Sequence, residues 1–198
     1  GASGMKPAKK NLASNQTYGK MLKTTDCYKK LGKSTILEEL RAWCDEQESW
    51  SQLSGSSFMH KPAPSLMLKD PFIAHLVERG WKEAIIMKSY PHSHYHFHMD
   101  LNNRPAAINL LLGKNENCHT VFIGEQYYRN QSRAIELKYE YGHFYLVNTH
   151  QKHGVFNFGT DRYLFTLSAP LEYGPAWHDC PKDKITWSDA YYKLYKEL

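Results

Sequence analysis

Paired cysteines are missing from this chain. The four cysteines (27, 44, 118 and 180) stand far apart, with no CxxC among them. That excludes both a disulfide framework and a zinc ribbon, and free thiols in a reducing cytoplasm are the simplest reading. No run of 18 apolar residues occurs, so no membrane span is expected. A basic-then-apolar leader is also missing, which excludes a secretory signal peptide in the residues given. There is no internal repeat and no low-complexity tract. Acids are scarce near the start: residues 6–33 hold eight lysines (6, 9, 10, 20, 23, 29, 30 and 33) against the single acid Asp26. This stretch reads either as a solvated basic arm or as an arm that touches an anionic partner. Its aromatics are only Tyr18 and Tyr28 and it has no binding motif, so nucleic-acid binding is not assigned.

What is present is aromatic. Of the 198 residues, 14% are Phe, Trp or Tyr, with 14 tyrosines, and 41% are hydrophobic. The length suits one domain with a sizeable core. The richness in Tyr, Phe and Trp favours strands over long helices. The expected organisation is a basic N-terminal arm over 1–33, in which Gly1-Ala2-Ser3-Gly4 before Met5 reads as a cloning scar, followed by a single domain over 34–198.

Residues 5–33 lack apolar periodicity and read as peripheral. Ser34-Thr35 precede Ile36, Leu37, Leu40, Trp43 and Cys44, which fall on one helical face, so an N-capped amphipathic helix is expected there. Residues 51–66 carry Ser, Gly and Pro and read as a loop. Asp70-Pro71 starts a second helix to about Glu78, with Gly80 ending it. From Trp81 onward the texture is short β-rich runs: 81–90, 92–98, 106–112, 119–124, 134–141, 143–148, 153–158 and 162–168. Turn residues separate several of them, at Asn102-Asn103, Gly113-Lys114-Asn115, Asn130-Gln131, Gly142 and Gly159-Thr160-Asp161. About eight short strands with frequent turns predict a mainly β sandwich or jelly roll. Ser188 caps a last helix, Asp189 to about Glu197. The helices are expected on the outside of one sheet.

The chemistry lies in two segments. The first is His98-Met99-Asp100. The second opens 55 residues later with His153-Gly-Val-Phe-Asn157 and runs to Arg162-Tyr-Leu-Phe-Thr166. Two imidazoles and one carboxylate can occupy one face of a metal, leaving the opposite face open, which is the facial triad of non-haem Fe(II) oxygenases. An arginine nine residues beyond the second histidine could hold a distal carboxylate with a two-pronged contact. A buried arginine in Arg-Tyr-Leu-Phe-Thr-Leu is costly without a partner. The bland alternative turns it to solvent or to a nearby acid. His92, His94, His96, His98 and Asp100 fall at every second position and would share a face of an extended strand. For His92 and His94 a polar strand face suffices, whereas His96 could orient the site or touch substrate.

The stretch 98–168 resembles the double-stranded β-helix core of the Fe(II)/2-oxoglutarate-dependent dioxygenases. Within that superfamily it is most similar to the aspartyl/asparaginyl β-hydroxylase-like and phage or bacterial small-oxygenase branches. The residues that carry the resemblance are His98-x-Asp100, the strand Ala106-Ala107-Ile108-Asn109-Leu110, Gly142 to His153, and His153-Gly-Val-Phe-Asn157 leading to Arg162. It covers the middle-to-late part of the chain and says nothing about residues 1–80. It implies a double-stranded β-helix with flanking helices. It implies that His98, Asp100 and His153 bind Fe(II), with 2-oxoglutarate and O2 as co-substrates. It further implies that Arg162 binds the C5 carboxylate of 2-oxoglutarate, and that Asn109 stands where some members contact the co-substrate. Leu164 stands where several branches have Ser, so Thr166 or a tyrosine must supply any hydroxyl contact. The implied activity is hydroxylation of a C–H bond, with succinate and CO2 as co-products.

Two other classes remain open. His153 with Asn157 also fits the second motif of cupin metalloproteins. Their first motif wants HxH followed by Glu, however, and His96-x-His98 is followed by Asp100 with no such Glu. Dependence on 2-oxoglutarate separates these readings. A non-enzymatic jelly-roll binding module would bind no Fe(II) tightly and ignore a change at Arg162. The expected substrate is a peptide side chain or small molecule. Arg104 is either a substrate contact for a carboxylate or phosphate or a plain turn arginine. The segment Gln126 to Asn130 is either a lid or a simple connection.

Overall fold

The computed structural model describes residues 21–52, 58–100, 104–114, 116–170 and 188–198. Two antiparallel sheets face each other. The larger has seven strands in the order β1-β9-β6-β11-β4-β3-β2, and the smaller has four in the order β5-β10-β7-β8. The strands are β1 (Tyr28–Lys33), β2 (Ser51–Gln52), β3 (Met59–Pro62), β4 (Lys82–Ser89), β5 (Ser93–His98), β6 (Ala107–Leu111), β7 (Cys118–Tyr128), β8 (Gln131–Leu137), β9 (His143–Val147), β10 (His153–Asn157) and β11 (Arg162–Ser168). Apart from β2-β3-β4 and the β7-β8 hairpin, sheet neighbours are not consecutive strands, and from β4 to β11 the chain crosses between the sheets at every step but β7 to β8. This is a double-stranded β-helix, the mainly β class expected.

Among the described residues, three α-helices accompany the sheets: α1 (Leu37–Glu46), α2 (Pro71–Glu78) and α3 (Ser188–Glu197). Leu37, Leu40 and Cys44 of α1, Ile73 and Leu76 of α2, and Tyr191 and Leu194 of α3 share one cluster with Ile108, Leu110, Phe144, Leu146, Phe165 and Leu167. The helices therefore cover the outer face of the large sheet. A second cluster, including Phe122, Leu137, Tyr139, Tyr145 and Leu164, fills the space between the sheets. No described helix is long and apolar enough to cross a membrane.

Asp70 joins α1 to α2. Its Oδ1 accepts from Phe72 N at the start of α2, and its Oδ2 accepts from Thr35 N and from the Ser34 and Thr35 hydroxyls just before α1. One carboxylate, only 1% exposed, thus satisfies amides at two helix starts. Gly80 follows α2 at φ +91°, a left-handed conformation that favours glycine.

β11 explains how the core carries chemistry. All seven of its residues are buried, because helices cover one face and the small sheet covers the other. Tyr163, Phe165 and Leu167 pack toward the helices. Arg162, Leu164, Thr166 and Ser168 alternate with them and face the space between the sheets.

Several elements differ from the sequence expectations. Tyr28–Lys33 is an edge strand paired with β9 rather than part of a free arm. The preceding 3-10 turn, Thr24–Asp26, is also docked, since Asn148 donates to the carbonyls of Asp26 and Cys27. The described part of 51–66 contains β2, β3 and a 3-10 turn over Ser65–Lys69 instead of a continuous loop. The run read at 119–124 extends through Tyr128. The run read at 134–141 sits earlier, at Gln131–Leu137. Tyr128 pairs with Gln131, so 126–130 forms the end of a tight hairpin turning at Arg129-Asn130. Lysines 6, 9, 10 and 20, the turn Asn102-Asn103 and Cys180 lie outside the described residues.

Candidate metal centre

The centre begins with an irregularity in β5. Along β10, His153 pairs with His98, but Val155, two residues on, pairs with Tyr95, three residues back. The extra residue is a bulge, and it changes which side chains face inward. Tyr95 and His98 stack on each other with ring centroids 4.1 Å apart, and His98 meets His153 at 4.4 Å. His94 instead stacks on Phe156 at 4.1 Å on the opposite face. The expectation that His92, His94, His96, His98 and Asp100 share one face is therefore corrected. Phe97 lies over Gly154, where an added Cβ would come within 3.1 Å of the ring and the ring would have to give by a few tenths of an ångström.

Backbone carbonyls fix the two ligand histidines. His98 Nδ1 donates to the His96 carbonyl at 2.7 Å, and His153 Nδ1 donates to the Gln151 carbonyl at 2.8 Å. A carbonyl only accepts, so each Nδ1 carries a proton and Nε2 is the nitrogen turned toward Asp100, a ligand lone pair in the neutral ring and a donor to Asp100 when His98 is charged. His96 thus orients the site through its backbone, while its ring is exposed. Asp100 lies two residues past β5. Its amide donates to the Thr149 carbonyl, in the turn that leads to His153. Its Oδ1 stands 3.3 Å from His98 Nε2 and 3.6 Å from His153 Nε2. One ligand atom from each of His98, Asp100 and His153 lies within 4.8 Å of the others.

Electrostatics suit a cation here. Burial alone would raise the Asp100 pKa, but the hydrogen bond from His98 and the positive charge of Arg104 hold it well below the usual carboxylate range. Burial, only partly offset by Asp100, lowers His153 and keeps its imidazole neutral. Burial also opposes charging of His98, yet Asp100 and the His96 carbonyl outweigh it and raise its pKa. An ionised carboxylate with two imidazoles whose Nε2 atoms converge on it is a donor set that fits a divalent transition metal.

A second group of polar residues faces the centre from the large sheet. Arg162 is 6% exposed, and its Nη2 donates to Thr120 Oγ1 at 3.4 Å. Among the described residues, Nε and Nη1 have no hydrogen-bond partner and no acid pairs with the guanidinium. The guanidinium lies 5.9 Å over the Tyr139 ring and borders a cavity of about 210 Å3 with Leu111, Cys118 and Asn157. A buried cation with unused donors fits an anionic ligand. Asn109 and Thr166 stand beside it in one chain of hydrogen bonds. Thr166 Oγ1 donates to Asn109 Oδ1 at 2.7 Å, and Asn109 Nδ2 donates to Tyr139 Oη at 3.0 Å.

That chain shows which of its hydroxyls has a proton to spare. The Thr166 proton is committed to Asn109. The Tyr139 oxygen accepts from Asn109, so its own proton remains available. Burial raises the Tyr139 pKa despite nearby Arg162, which keeps the phenol protonated. Tyr139 was missed because it lies beyond β8, outside any motif. Arg104 is engaged inward, with Nε on Asp100 Oδ2 at 2.7 Å and its other nitrogens on Thr166 and Ser168.

No family model matches the sequence, and no curated protein matches it. Solved structures do resemble the fold. A prolyl hydroxylase from Trichoplax adhaerens, in complex with a hypoxia inducible factor oxygen degradation domain peptide fragment, aligns with TM-score 0.55 at 16% identity, over 84% of this chain and 93% of that one. A prolyl-4-hydroxylase from Pseudomonas putida aligns with TM-score 0.54 at 12% identity, over 73% and 92%. HygX from Streptomyces hygroscopicus, with nickel, 2-oxoglutarate and hygromycin B bound, aligns with TM-score 0.51 at 12% identity, over 73% and 84%. The chain has the fold of the Fe(II)/2-oxoglutarate oxygenases, with an HxD…H triad assembled in it.

Proposed function

We propose that this protein is an Fe(II)- and 2-oxoglutarate-dependent dioxygenase that hydroxylates a C–H bond of a peptide side chain or a small molecule. The observation that carries the reading is the pairing of two unsatisfied features. Three ligand atoms converge on one point, and the buried Arg162 holds two donors that nothing among the described residues takes up. A metal answers the first, and the distal carboxylate of a chelating 2-oxo acid answers the second. The matched structures with a peptide fragment or hygromycin B bound support either substrate class.

His98, Asp100 and His153 would hold the metal through Nε2, Oδ1 and Nε2. Fe(II) held there supplies the oxidising chemistry that couples decarboxylation of 2-oxoglutarate, to succinate and CO2, with reduction of O2 and oxidation of a substrate C–H bond. Arg162 binds the C5 carboxylate of the co-substrate, with the Tyr139 hydroxyl as a second donor. Asn109 and Thr166 hold Tyr139 in place rather than donating themselves. Phe122, Leu164 and Leu111 keep water from the space between the sheets. No side chain needs to act as a general acid or base.

The test is an anaerobic titration of the metal-free protein with Fe(II) and 2-oxoglutarate, following the visible charge-transfer band of the chelate. Asp100→Ala and Arg162→Ala run beside it. The expected result is a band that weakens in both variants. Bound Fe(II) with no band would overturn the co-substrate assignment. Failure to bind Fe(II) would overturn the metal centre.

A further inference from the structure

The two oxygens of Asp100 keep different company. Oδ1 faces both imidazoles. Oδ2 accepts from Arg104 Nε at 2.7 Å. The remaining nitrogens of that guanidinium are also committed, Nη1 to Ser168 Oγ at 2.8 Å and Nη2 to Thr166 Oγ1 at 2.6 Å. Both hydroxyls belong to the rigid interior of β11, at 1% and 0% exposure. Thr149 Oγ1 donates to the Arg104 carbonyl and fixes its backbone end. A planar fork held at all three nitrogens has one position, and so does the oxygen it grips.

We infer that Arg104 is a positioning residue that limits Asp100 to a single metal-facing oxygen. The inference rests on the metal centre proposed above. Carboxylates bind cations through one oxygen or through both. Chelation through both would take a coordination position that co-substrate or oxygen must use. The short charge-assisted bond to Arg104 makes Oδ2 costly to turn toward the metal. Charge argues the same way. A guanidinium beside a divalent cation repels it, so Arg104 does not serve metal affinity. Its effect is on how many positions stay open.

The test uses Mn(II) as probe and counts metal-bound water by water-proton relaxation. It compares wild type, Arg104→Met and Arg104→Lys, with near-ultraviolet circular dichroism as the check of folding. The wild type is expected to carry about three exchangeable waters, the number a facial triad leaves open. Arg104→Met should lose one, lowering relaxivity by about a third, because Oδ2 is released to chelate. It should bind Mn(II) at least as tightly as wild type, since a repulsive charge has gone. A merely structural role predicts the opposite, looser metal with an unchanged count. Arg104→Lys, which returns one cationic donor, should recover part of the lost water. Equal water counts in wild type and Arg104→Met overturn the inference and leave the metal centre standing. So does a wild type with only two waters. A wild type that binds no Mn(II) overturns the metal centre itself. If Arg104→Met does not fold, Arg104→Lys and Ser168→Ala are read in the same assay, and unchanged counts in both overturn the inference.

Discussion

Thr166→Val isolates the polar seam of the core, because valine matches threonine in shape and removes only the hydroxyl. That hydroxyl is fully buried. It accepts from Arg104 Nη2 and donates to Asn109 Oδ1. Its loss strands two groups. The Asn109 oxygen belongs to a residue only 7% exposed, and leaving such a buried acceptor unpaired costs about 1–3 kcal/mol. The Arg104 nitrogen belongs to a cation whose side chain is one-fifth exposed, so solvent recovers part of that loss and about 1 kcal/mol is the fair share. Together the substitution should destabilise the metal-free protein by about 2–4 kcal/mol. In a chain of this size that lowers Tm by roughly 5–12 °C. Thr166→Ser is the control. It keeps the hydroxyl and loses one buried methyl, for about 1 kcal/mol. The assay is urea unfolding of both variants by circular dichroism and tryptophan fluorescence. A Thr166→Val protein as stable as Thr166→Ser, or within 0.5 kcal/mol or so of wild type, would refute the bridging role of the hydroxyl.

Arg162→Met should leave the stability of the unliganded protein unchanged or slightly higher, because it removes a buried charge with two unused donors. The same substitution should weaken 2-oxoglutarate binding by about two orders of magnitude, read by calorimetry on the Co(II) form; an unchanged affinity would count against Arg162 as the anchor. Asp70→Ala strips acceptors from two helix starts and should cost about 2–4 kcal/mol in urea unfolding, with Asp70→Asn recovering part of it. Burial raises the pKa of both Cys27 and Cys44 to about 12, so at pH 8 only roughly one thiol in ten thousand is the reactive thiolate. Peptide mapping after iodoacetamide should find both unlabelled in the native protein and labelled in urea; rapid native labelling would contradict their placement in the core.

The parts of this molecule that could be read from the sequence are those with local signatures. Strand β11 was delimited from its β-rich run and the turn before it, and α2 from Asp70-Pro71 and Gly80. The HxD…H triad could be read because His98-x-Asp100 and His153 have a recognisable order and spacing. What escaped depends on partners distant in sequence. Tyr28–Lys33 is lysine-rich because it is an edge strand, paired on one side only, so it shows no clean alternation. The bulge in β5 is a backbone event, and no side chain between Tyr95 and His98 announces it. Arg104 looked like a turn arginine because its partners, Thr166 and Ser168, lie 62 and 64 residues away. Tyr139 became visible only when the direction of each hydrogen bond from Thr166 through Asn109 was followed.

The division of labour between the sheets has a mechanical consequence. His98 and His153 belong to the small sheet, with Asp100 just past its edge strand. Asn109, Arg162 and Thr166 belong to the large one. The site is therefore a seam, each slab contributing half of it. Sliding one slab over the other alters the span between the metal ligands and the Arg162 guanidinium without bending either half. The apolar cluster between the sheets resists such sliding, and polar contacts add to it: Arg104 pins Asp100 to β11, Arg162 reaches to Thr120 on β7, and Asn157 of β10 donates to Ser89 of β4. These two arginines set the gauge of the gap, and a diacid of fixed length bridging it would lock the slabs at that spacing.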